Sequence, residues 1–214
     1  LVTVDRTGAI RFRDVLGGRT RRTLPVKAPS VALAHGTHVI ALAIDGRLMH
    51  VGQRRGTSPV AVWAPPRRLS STALGLSTNG AYVAIGTASG VVRCWSVAHN
   101  RLIGAARQRG QAAAVAVASD GSTVASADSA HSVHVWSLPG GRARRSLTTN
   151  APIVALAFSR NSRLLGAATR DGSVLVWDMA SGRVVHDLHF AISSLAGLAL
   201  SHTGDRVAIT KRQA

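Results

Sequence analysis

Three histidine pairs, His35/His38, His131/His134 and His186/His189, share a spacing that invites metal chemistry. Two imidazoles make a site only when they converge on one point. On a strand, residues three apart point to opposite faces, so this spacing gives no chelate there. The sequence offers few further ligands: nine Asp, no Glu and one Cys, Cys94. The histidines are expected at polar loop positions, and no metal is expected. The scattered Asp residues fit local hydrogen bonding, with Asp45 and Asp171 in tight turns, Asp120 in a strand–strand turn, and Asp14 and Asp178 at strand ends. Without Glu, one common general acid–base residue type is missing. Cys94 lies between Arg93 and Trp95 and reads as a buried, inert thiol. No nucleophile elbow, phosphate-binding loop or dinucleotide fingerprint occurs. No catalytic residue and no cofactor are expected, and the chain reads as a non-enzyme.

The remaining chemistry is cationic. Lys and Arg number 26 against 9 Asp, a formal charge of +17 with a sequence pI near 12.0. Only Lys27 and Lys211 are lysines, so Arg carries nearly all of it. Such a charge raises nucleic acid or another polyanion as a partner. The excess of Arg over Lys beside abundant Ala, Gly and Val also fits a GC-rich genome. A hydrophobic share of 46% is enough to build a core. The apolar runs Val39–Ile44 and Ala112–Ala118 fall far short of the ~18–20 residues of a membrane-spanning helix. The first residue is Leu1, and the sequence is expected to be a piece of a longer, cytoplasmic chain.

What positions these residues is a repeat. Five segments align: Ile10–Asp14, Leu48–Gly52, Val92–Ser96, Val133–Ser137 and Val174–Asp178, at intervals of 38, 44, 41 and 41 residues. Their fourth residues are Arg13, Val51, Trp95, Trp136 and Trp177. Each follows a turn pair: Thr7-Gly8, Asp45-Gly46, Ser89-Gly90, Ala130-His131 and Asp171-Gly172. Gly at the second place suits a tight hairpin that needs positive φ. A second series of small and apolar residues runs in step: Val31–Ala34, Ala73–Leu76, Ala114–Val117, Val154–Ala157 and Gly197–Leu200. Each unit therefore reads as strand, turn, strand, tight turn, strand, longer loop, strand, which is one blade of a propeller.

At this point the chain resembles the WD-repeat β-propeller family. Its best unit runs from Ile153 to Leu188 and holds Asp171-Gly172 and Trp177-Asp178. Trp95-Ser96 and Trp136-Ser137 keep the Trp alone, and no Gly-His pair precedes an innermost strand. The resemblance implies an all-β fold of four-stranded antiparallel blades. The departures from the family pattern also imply that its Asp-His-Ser/Thr-Trp hydrogen-bond network is incomplete in each blade and that the blades rely more on apolar packing. Residues 1–214 then form a single propeller region. It comprises a partial blade 1–24, whole blades 30–64, 71–107, 111–149 and 153–189, and a partial blade 195–214. That is expected to be part of a larger ring of about seven blades, the alternative being a five-blade ring with an extra strand.

The blade register sorts the cations. One face of the propeller, bearing the blade-to-blade loops and the tight middle turns, receives Arg47, Arg67, Arg68, Arg107, Arg109 and Arg170. These six are the candidate partner-binding residues. Arg54, Arg55, Arg101, Arg142, Arg160, Arg163 and Arg183 fall on the opposite face, and Arg21, Arg22, Arg144 and Arg145 on outer strands. Trp63 reads as rim packing. The spread argues against a nucleic-acid groove, where cations concentrate and aromatics interleave. The resemblance implies a non-catalytic scaffold for protein–protein interaction, within a larger multidomain protein. Its expected partner is a protein or peptide, with no membrane partner. The alternative is nucleic-acid or polyanion binding through the Arg-rich loops.

Overall fold

The computed structural model describes residues 2–4, 10–13, 19–24, 31–35, 39–43, 48–51, 60–63, 71–191 and 195–211. Every regular element among them is a β-strand. The chain divides into two compact units, Leu1–Leu69 and Ser70–Ala214. In the first, β1 (Val2–Val4), β2 (Ile10–Arg13) and β3 (Thr20–Leu24) form a three-stranded sheet. A four-stranded sheet follows, of β4 (Val31–His35), β5 (Val39–Ala43), β6 (Leu48–Val51) and β7 (Val60–Trp63).

The second unit repeats one motif. Its first blade is β8 (Ser71–Leu76), β9 (Tyr82–Thr87), β10 (Val91–Ser96) and β11 (Arg101–Arg107). The next is β12 (Ala114–Val117), β13 (Thr123–Ala127), β14 (Ser132–Ser137) and β15 (Arg142–Thr148). A third is β16 (Ile153–Phe158), β17 (Leu164–Thr169), β18 (Ser173–Asp178) and β19 (Val184–His189). A two-stranded sheet of β20 (Leu195–Leu200) and β21 (Val207–Lys211) ends the described chain. Each strand pairs antiparallel with its sequence neighbour, so every sheet is a meander.

Alternation on the third strand glues the blades together. In β14, SVHVWS, Val133 and Val135 point one way and Trp136 the other. The two valines join Ile153, Phe158, Leu165 and Ala167 of the following blade, while Trp136 joins Val92 and Cys94 of the preceding one. β18 repeats this, with Trp177 packed back among Val133 and Val135 and with Val174 and Val176 packed forward with Leu195. A buried Trp removes roughly 150–250 Å² from water, so one ring per interface is a large share of its cohesion. Cys94 lies on the forward side of β10, as alternation predicts.

Three further features fix this geometry. The innermost strand β12, AVAV, is buried throughout and packs between β8 and β16. Small residues let these strands approach closely: a Cβ on Gly75 would lie 2.4 Å from the Val115 carbonyl oxygen. The middle turns need positive φ, which Gly90 (77°) and Gly172 (97°) adopt freely and His131 adopts at 62°. Lastly, the pairing of third with fourth strand slips by one residue just before the repeat's fourth position. The slip falls at Phe12/Arg13, Cys94/Trp95, Val135/Trp136 and Val176/Trp177. The extra residue lies on the outer strand each time, a β-bulge. β6 departs, slipping at Leu48/Met49.

One blade adds a buried polar chain to the apolar packing. Trp136 Nε1 donates to Ser126 Oγ at 3.0 Å, and Ser126 Oγ donates to Gln108 Oε1 in a short hydrogen bond. Gln108 Nε2 donates in turn to the Ala127 and Gln111 carbonyls, each at 3.2 Å. All three side chains are buried. The family's His is absent, as the sequence indicated, but Gln108 supplies both an acceptor and a donor in its place. In the following blade Ala167 occupies the register position of Ser126 and offers no hydroxyl.

Candidate functional site

Antiparallel meanders send alternate loops to opposite ends of the unit. The middle turns and the blade-to-blade connections share one end, where backbone hydrogen bonds tie them pairwise. Gln108 N donates to Gly90 O (2.9 Å), Thr149 N to His131 O (3.0 Å), Arg170 N to Pro152 O (2.9 Å) and Phe190 N to Gly172 O (3.0 Å). Arg107, Arg109 and Arg170 lie at this end and are exposed. The alternation that buries Gln108 turns its two neighbours, Arg107 and Arg109, outward. Arg47, Arg67 and Arg68 lie outside the described residues.

In the second unit, acidic and histidine side chains make local hydrogen bonds. Asp128 is buried and accepts from Ala130 N (2.8 Å), Ser132 N (3.0 Å) and His134 Nε2 (2.9 Å). Burial opposes its charge, but the His134 side chain and the two N–H groups outweigh that and hold its pKa below the ordinary range. His131 and His134 therefore do not pair: one shapes the turn and the other anchors Asp128. His189 bonds Ser173 Oγ through Nδ1 (3.0 Å) and Asp187 through Nε2 (3.2 Å), apart from His186. His35 ends β4, and His38 lies outside the described residues. The Cys94 thiol is pushed up to about 12 by burial, against a lowering contribution from the Trp95 N–H. Burial of this kind disfavours the thiolate, which is the nucleophilic form. The Asp178 carboxylate caps its own turn, accepting from Ser181 N (2.8 Å) and Ser181 Oγ (2.9 Å).

The opposite end carries the first-to-second and third-to-fourth turns. Here a pocket of about 450 Å³ opens between blades β12–β15 and β16–β19. Arg144, Arg145 and Arg163 stand around it with Asp178, over Val135, Phe158 and Met179. The sequence places these arginines on an outer strand and on the far face and gives no sign that they converge. They do so because of the bulge and because two blades meet there.

Successive four-stranded meanders whose third strands, β14 and β18, each pack against both neighbouring sheets are the architecture of β-propeller blades. Residues 141–178 match the family model described as WD domain, G-beta repeat, consistent with a WD-repeat family. The matched stretch contains β15 through β18, the outer strand of one blade and the inner three of the next. No curated protein matches the sequence.

Proposed function

We propose that the protein is a non-catalytic scaffold that binds a protein or peptide partner, as the WD-repeat region of a larger multidomain protein. The observation that carries this reading is the WD repeat at residues 141–178, whose blades leave rigidly tied loops exposed at one end. Rigid loops lose little conformational freedom on binding, which favours recognition. The buried polar groups of that end, Asp128, Ser126 and Gln108, are taken up by internal hydrogen bonds. Arg107, Arg109 and Arg170 are the described cations a partner meets there, joined in sequence by Arg47, Arg67 and Arg68.

The test is a peptide array probed with the wild-type chain and with an R107E/R109E/R170E variant. Wild type should retain a defined set of peptides, and the variant should lose them while keeping its unfolding midpoint. If no peptide is retained above the denatured-protein background, or if a substrate turns over, the reading fails. The polyanion alternative is checked in parallel by titrating generic duplex DNA at two salt concentrations. Binding that is tight and falls steeply with salt would favour it.

A further inference from the structure

Two consecutive arginines of β15, Arg144 and Arg145, both line the inter-blade pocket. On a regular strand, neighbours point to opposite faces. The pairing of β14 with β15 explains the exception. Val135 pairs with Arg145 and Trp136 with Ala143, so Arg144 is the extra residue of the bulge, a device that re-aims a side chain. Arg144 Nη1 reaches Thr123 Oγ1 of its own blade at 3.4 Å. Arg145 crosses to the next blade, donating from Nη1 to Ser181 O at 2.8 Å and from Nη2 to Ala180 O at 3.4 Å. Arg163 adds a third guanidinium from the β16–β17 turn.

Against three cations the pocket holds one carboxylate, Asp178, already engaged by Ser181 N and Oγ. The site therefore has uncompensated positive charge. Its lining is mixed: Ser122, Thr123 and Ser162 stand beside the apolar Val135 and Phe158, both buried, and Met179, half-buried. Guanidinium groups bind carboxylates with paired N–H donors. A cationic site with hydroxyls and a half-buried methionine in its lining fits a carboxylate placed beside an apolar side chain. We propose that this pocket docks an acidic peptide segment of a partner protein, its carboxylate held by Arg144 and Arg163 and an adjacent apolar side chain seated on Val135, Phe158 and Met179. The site lies at the end opposite Arg107, Arg109 and Arg170, so it is a second surface that stands independently of the first.

The experiment is fluorescence anisotropy with the wild-type chain and a labelled peptide of alternating glutamate and leucine. A matched peptide with glutamine for glutamate, and sodium hexanoate as a free carboxylate, complete the probes. The acidic peptide should bind, and the glutamine peptide should bind far more weakly. R144Q/R163Q should weaken the acidic peptide by about tenfold or more, the scale of lost charge-assisted hydrogen bonds. R107Q/R109Q should leave it unchanged. Met179→Gln, which makes the lining more polar without touching a charge, should weaken it as well. No binding of the acidic peptide, or equal binding by R144Q/R163Q, overturns the proposal. So does hexanoate binding with no peptide binding, which marks a small-molecule site. Loss only in R107Q/R109Q also overturns it and leaves the first surface standing. Thermal midpoints confirm that each variant is folded.

Discussion

At the scale of single residues, the informative ones are buried polar groups with every bond made. Ser126 links Trp136 to Gln108. Ser126→Ala leaves the indole N–H and the amide oxygen without partners in the interior. It should cost about 1–3 kcal/mol, read as a lower urea midpoint at unchanged slope. Asp128 gives a prediction with a sign. Its folded pKa is depressed, so its ionised form adds stability that is fully present above the unfolded value of about 3.9 and is lost as pH falls through the folded pKa. The urea midpoint of wild type should drop more steeply below about pH 4 than that of Asp128→Asn. Equal slopes would show that Asp128 carries none of this acid sensitivity. The Trp positions were legible in the sequence because they recur at a fixed period. Gln108 was not: it falls in a connection of a different residue type from the family's His, and only the fold brings it to Ser126.

Elements explain how loops and side chains acquire their directions. The middle turns demand positive φ at one position, and two of the three in the second unit use Gly there. His131 bears the strain of a left-handed non-glycine residue, about 1–2 kcal/mol, against the ~0.5–1 kcal/mol that glycine forfeits in chain entropy. His131→Gly should therefore be neutral to slightly stabilising, and Gly172→Ala destabilising by about 1–2 kcal/mol; thermal melts of the pair decide it. On the innermost strands the constraint is distance. Gly75→Ala drives a methyl against the Val115 carbonyl and should cost about 1–3 kcal/mol by overpacking, separating β8 from β12. The strand order and the tight turns were readable from alternation and Gly spacing. The bulge was not, since nothing in Arg142-Ala143-Arg144-Arg145 marks which residue is extra. That single unread offset is why Arg144 and Arg145 looked like rim charges rather than two walls of a pocket.

At the scale of the molecule, the chain carries a charge of +17, and the described cations of the second unit divide between its two ends. In the second unit, Arg107, Arg109 and Arg170 lie at one end and Arg144, Arg145 and Arg163 around the pocket toward the other. Generic duplex DNA should bind only weakly even at ~50 mM salt, as expected for cations spread over several surfaces, whereas peptide binding at either surface should persist at ~200 mM. The WD repeat at residues 141–178 supplies the outer strand of one blade and the inner strands of the next. Each repeat is thus a clasp, and neither blade is complete without its neighbour's copy. Because the 41-residue interval recurs between Val92, Val133 and Val174, recombination between coding copies at any common phase inserts or removes one full set of four strands. The number of blades is therefore free to drift by whole steps at the level of the gene, while a crossover at unequal phase leaves a Trp with no partner face to enter.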